Sequence, residues 1–176
     1  MASVLILRRL AGLVLVASVA RPAQAARTGI ERLREETRPA AAIAFRDAEG
    51  REHDLTGFAG RGLILNFWAT WCPPCVAEMP ALDRLQKIVA GEGIAVLALS
   101  SDRGGKTQVE AFYERLGLRH LGIWLDPRGA AGRAMGVRGL PTTVILDRKG
   151  LERARLEGEA EWDAPPLLAA VRRLAG

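Results

Sequence analysis

The chain has 176 residues, almost half of them apolar and about a quarter charged. That suits one domain with a real core and leaves little room for a second. The formal charge of +5 suggests a nucleic-acid partner, but the N-terminal segment accounts for more than half of it, and that class is set aside below.

Arg8 and Arg9 precede an apolar run from Leu10 to Ala20, and Ala23-Gln24-Ala25 follows. Positive charge, a short apolar stretch and small residues spaced A-x-A make up a secretory signal peptide, here residues 1–25. A bilayer-spanning helix needs about 20 apolar residues, and this run is shorter. Retention as an uncleaved membrane anchor is the alternative. The arginine pair also suggests twin-arginine export, without distinctive flanks. No cysteine follows the run, so a lipid anchor on an N-terminal cysteine is not expected. Cleavage after Ala25 removes three arginines and no acid, leaving 22 basic against 20 acidic side chains and a net charge of +2. A nucleic-acid partner is then not expected.

Residues 26–41 read as a linker or short helix, with Ile30 and Leu33 at helical spacing in a polar stretch. A single domain is expected over 42–176. Phe45 to Leu55 reads as a hairpin turning at Glu49-Gly50. Leu63-Ile-Leu-Asn-Phe-Trp-Ala69 is nearly all apolar, as for a strand covered on both faces. A helix follows, with Val76, Met79, Leu82, Leu85, Ile88 and Val89 on one face and a kink expected at Pro80. Ile94 to Leu99 is a second buried strand. Thr107-Gln-Val-Glu110 forms a capping box opening a helix with Val109, Phe112, Tyr113 and Leu116 inward. Gly122 to Leu125 is a short strand and Pro127 to Met135 a short helix. Gly139-Leu140-Pro141 precedes the strand Thr142 to Leu146, a turn at Asp147–Gly150 and a last strand, Leu151 to Glu157. Asp163 is expected to cap a final helix that buries Leu167, Leu168, Val171 and Leu174. This order predicts an α/β domain: one mixed sheet flanked by helices on both faces, with an N-terminal β-hairpin and a small central α/β insert.

Both cysteines of the chain lie in Trp71-Cys72-Pro73-Pro74-Cys75. A loop of two residues constrains the unfolded chain little, so chemistry explains the pair better than stability does. A C-x-x-C at a strand-to-helix junction puts the first sulfur at a helix N-terminus, where N–H groups and the dipole favour a thiolate. Cys72 is then the nucleophile, and Cys75, one turn on, resolves the mixed disulfide.

Phe67-Trp-Ala-Thr-Trp-Cys-Pro-Pro-Cys-Val-Ala-Glu-Met-Pro80, with Gly139-Leu-Pro-Thr-Thr143 downstream, resembles the TlpA/ResA-like branch of the thioredoxin superfamily from about Phe45 to the C-terminus. The resemblance implies a thioredoxin fold and a thiol:disulfide oxidoreductase working outside the cytoplasm. It implies reduction of disulfides in exported proteins, including apocytochrome c during cytochrome c maturation, with electrons from a membrane thiol donor. Pro141 resembles the cis-proline beside the active cysteines, which would leave the Leu140 backbone free to pair with a bound peptide. Trp71 and Pro73 would border the same substrate surface. Asn66 stands where ordinary thioredoxins carry a buried acid. Glu78 matches the glutamate of this branch, and if buried it would exchange a proton with the Cys75 thiol. A solvated carboxylate near the helix start is the other reading of Glu78.

Other classes are disfavoured. A structural zinc needs four ligands, and His53 and His120, read as surface residues without partners, lack ligand spacing. No metal and no cofactor are expected. Gly105-Lys106-Thr107 imitates a phosphate-binding loop but fails at Ser100, so no nucleotide is expected. Ala69 stands where a peroxiredoxin-like site carries threonine. A disulfide-forming oxidant, and a chaperone or copper-binding module on the same fold, remain as alternatives.

Overall fold

Residues 28–176 are described by a computed structural model; residues 1–25, read above as a signal peptide, lie outside the described residues. The strands are β1 (Arg34–Pro39), β2 (Ala44–Asp47), β3 (Glu52–Asp54), β4 (Gly62–Trp68), β5 (Ile94–Ser100), β6 (Trp124–Leu125), β7 (Thr142–Leu146) and β8 (Leu151–Glu157). The helices are α1 (Pro73–Val89), α2 (Gly105–Leu116), α3 (Ala130–Ala134) and α4 (Pro165–Ala175).

The strands form one mixed sheet in the order β1-β8-β7-β4-β5-β6-β2-β3. The apolar runs take the centre because only there are both faces of a strand covered. Every residue of β4, β5 and β7 is buried. β4 pairs parallel with β5 and antiparallel with β7. Alternation then sends Ile64, Trp68, Val96, Ala98 and Ile145 to one face, under α1, α2 and α4. Leu63, Leu65, Phe67, Leu97, Leu99 and Val144 go to the other, covered by α3, Ile43 and Phe45. Helices lie on both faces, but three on one and only α3 on the other. A Cβ on Gly62 would overlap the Ala175 carbonyl, so glycine lets the end of α4 close on the start of β4.

The hairpin of β2 and β3 turns at Gly50 (φ 79°) and joins the far edge by pairing β2 with β6. Several expectations change. Within the stretch read as a linker or short helix, Ile30–Arg32 is a short 3-10 helix, but Arg34–Pro39 is a strand paired with β8, and all six of its residues are exposed. An edge strand with no buried face carries no alternation to read. α2 begins before Thr107; its Gln108 Oε1 accepts the Gly104 N–H at 3.2 Å, so the capping box does not form. Asp163 does not cap α4 but holds Arg84 of α1 in a two-pronged ion pair at 2.6 and 3.2 Å. Ile88 and Leu116 are exposed at the rims of their helices. His53 has partners: its Nε2 lies 2.9 Å from Asp47, and its ring stacks on Phe45 and meets Trp124 edge-on. α1 runs unbroken through Pro80.

Candidate active site

β4 ends at Trp68, and three residues later the chain enters α1 with Cys72 as its N-cap. Cys72 and Cys75 form a disulfide, with Cα atoms 5.3 Å apart. Pro73 and Pro74 fill the first two helical positions, where a missing N–H costs nothing. Their effect is to strip the helix start of two donors. The Cys75 N–H alone of that turn faces the first sulfur, donating to Cys72 Sγ at 3.4 Å. Cys72 keeps 5% exposure and Cys75 none. An incoming disulfide therefore meets Cys72 first.

One turn further, the Glu78 carboxylate is 2% exposed. Asn66 Nδ2 donates to its Oε1 at 2.7 Å, and the Ala160 N–H and Trp162 Nε1 each donate to its Oε2 at 3.0 Å. Burial pushes the carboxyl up to about 7, against the pull of these three donors toward the charged form. Burial wins, so Glu78 changes protonation near neutrality. Asn66 Nδ2 also donates to Thr143 Oγ1 at 2.9 Å, while its Oδ1 is buried without a partner. Rotating that amide end for end would offer Oδ1 to a protonated Glu78, so the same pocket accommodates either charge state.

The Leu140–Pro141 peptide bond is cis. Pro141 is buried, and its carbonyl accepts the Gly158 N–H at 2.9 Å. No hydrogen bond within the described residues engages the Leu140 N–H or carbonyl. Trp71 is 68% exposed and lines a cleft of about 980 Å³, and Leu140 lines an adjoining cavity of about 200 Å³. Pro73 is exposed. The described residues contain no group of three histidine, cysteine, aspartate or glutamate side chains able to hold a metal.

Sequence reasoning missed the second support of this loop. Asp102, 1% exposed, accepts from the Thr70 N–H at 2.9 Å, Thr70 Oγ1 at 2.8 Å, Ser100 Oγ at 2.8 Å and Gln108 Nε2 at 2.9 Å. It ties the residue before Trp71 to the end of β5 and the start of α2. The only sequence signal was its place just after a buried strand. Asp102→Ala removes the acceptor of four hydrogen bonds, and unfolding in urea is expected to show a loss of about 3 kcal/mol. A loss below about 1 kcal/mol would mean that water replaces the carboxylate. Trp162 and Ala160 were likewise missed, because nothing local marks them as partners of Glu78.

A parallel β4–β5 core, a C-x-x-C disulfide at the start of α1 and a cis-proline before β7 define a thioredoxin-fold protein with a redox-disulfide centre. A family model described as Redoxin matches residues 35–170, and the chain belongs to that family. The thiol-disulfide oxidoreductase ResA of Geobacillus thermodenitrificans is 44% identical over 104 residues. That match covers 59% of this chain, which spans only 59% of the relative's length. Among solved structures, a Chlorobium tepidum protein assigned as thiol:disulfide interchange protein DsbE superposes with a TM-score of 0.66 at 26% identity. It covers 78% of this chain and 99% of its own. The exposed lipoprotein thioredoxin of Streptococcus pneumoniae gives 0.63 at 29% identity, covering 76% of this chain and all of its own.

Proposed function

We propose that the protein is a thiol-disulfide oxidoreductase that reduces disulfides of exported proteins outside the cytoplasm, through a dithiol–disulfide cycle of Cys72 and Cys75. The observation that carries the reading is the asymmetric disulfide at the start of α1, with Glu78 buried one turn behind it.

In the reduced protein the Cys72 thiolate attacks a substrate disulfide. One Cys72–substrate S–S bond forms, the substrate S–S bond breaks, and the first substrate sulfur leaves as a thiolate that takes a proton. Cys75 then loses its proton to Glu78 and attacks Cys72, closing the disulfide and releasing the second substrate sulfur. Two electrons pass to the substrate. A membrane thiol donor returns two electrons and two protons to Cys72 and Cys75. The free Leu140 backbone groups pair with the substrate chain, and Trp71, Pro73 and Pro141 shape the surface it lies on. Haem-attachment cysteines of apocytochrome c are the substrate class that the sequence resemblance favours, with cytochrome c maturation as the setting. The signal-like segment before residue 26 supports export. No helix among the described residues is long and apolar enough to cross a membrane.

The reduction potential, measured against dithiothreitol or glutathione buffers, tests the direction. A value near thioredoxin's, about −270 mV, is expected of a reductant, and one near DsbA's, about −120 mV, would make the protein an oxidant.

A further inference from the structure

We propose that the cleft beside Trp71 and the cavity beside Leu140 together form a docking groove for an acidic polypeptide segment next to the substrate's disulfide; this rests on the oxidoreductase reading.

The two hollows are neighbours, since Ser101 and Gly129 line both. Arg103 and Arg128 line the larger, and Arg133 and Arg138 the smaller. All four are exposed, and among the described residues none is paired with a carboxylate. Arg133 bonds the Arg128 carbonyl, whereas the guanidinium groups of Arg103, Arg128 and Arg138 have no partner within the described residues.

Among the described residues, eight other arginines, from Arg32 to Arg173 in α4, are matched to acids, while Arg34, Arg46, Arg61, Arg115, Arg119 and Arg148 are not. What sets the four apart is their place: they line the two adjoining hollows beside Trp71 and Leu140. The two acids that line the hollows, Asp102 and Asp126, are 1% and 5% exposed and already bonded: Asp102 to the loop before Trp71, Asp126 to the Gly132 N–H at 3.0 Å. The groove therefore presents one sign of charge, with the exposed Trp71 indole at its end nearest Cys72. An extended segment lying there would place carboxylates against the arginines while its backbone reaches Leu140. Four cations without carboxylate partners along the two hollows select an acidic partner and hasten its encounter more than they tighten its grip.

Titration calorimetry on the oxidised protein would compare an aspartate-rich, cysteine-free peptide with its asparagine counterpart. The acidic peptide is expected to bind about tenfold more tightly at low salt, with the margin shrinking as ionic strength rises. The double variant Arg103→Gln, Arg128→Gln should lose the margin while still reducing the uncharged bis(2-hydroxyethyl) disulfide at the wild-type rate. Equal affinity for the two peptides overturns the proposal, as does a margin that survives in the variant. Vesicles of phosphatidylglycerol that bind the wild type as well as the acidic peptide does, and lose binding in the variant, overturn it in favour of a lipid surface. Failure of the wild type to reduce bis(2-hydroxyethyl) disulfide would instead sink the oxidoreductase reading, whatever the peptides show.

Discussion

Cys72→Ser is expected to lower the rate of insulin disulfide reduction by on the order of 10³-fold or more. Cys75→Ser should instead accumulate a mixed disulfide between Cys72 and the substrate, visible as a mass increase without reductant. The difference follows from burial: Cys72 is 5% exposed and Cys75 fully enclosed, so the second sulfur reaches only the first. Thiolate character separates them as well, since the Cys75 N–H donates toward Cys72 Sγ and hydrogen bonds to a charged form favour it. Trapping on Cys72→Ser rather than Cys75→Ser would reverse the two roles.

Glu78→Gln is expected to slow reduction about 10²-fold near neutral pH, the scale of a lost acid–base group. The wild-type rate should change with pH around 7, where burial places the Glu78 carboxyl, and the variant should lose that step. Stability carries the same signature with a definite sign. The folded pKa is raised, so the fold binds this proton more tightly than the unfolded chain does. The contribution is full below the ordinary value of 4.5 and is lost as pH rises through about 7. Wild-type stability should therefore fall across that window by up to roughly 3 kcal/mol from this group, and Glu78→Gln should show no such slope. The variant should still fold, because the Gln amide can face Asn66 once that side chain turns its unpaired Oδ1 inward. Trp162→Phe removes one donor to the charged carboxylate, so the midpoint of the pH profile should move upward. A Glu78 that only packs would leave the midpoint in place.

Much of this was legible along the chain because periodicity and spacing are local. The apolar run at 63–69 reads as a strand covered on both faces. The face of α1, the turn at Gly50 and the Cys-Pro-Pro-Cys start of a helix each depend on residues within one or two turns of one another. The two cysteines of the disulfide are three residues apart, so the pair was written in one stretch of sequence.

The surroundings of Glu78 were not. Its donors lie 12, 82 and 84 residues away, at Asn66, Ala160 and Trp162, and Thr143 lies 77 residues from Asn66. They meet because β7 pairs against β4 and the segment after β8 folds back over α1, which no local pattern encodes. The same holds for β1, an exposed edge strand recognised only by its pairing with β8, and for Asp163, whose carboxylate goes to Arg84 rather than to its own helix. Residue order specifies which groups the chain carries and how each segment curls. Burial, and with it the protonation of Glu78, exists only once distant segments exclude water from one another.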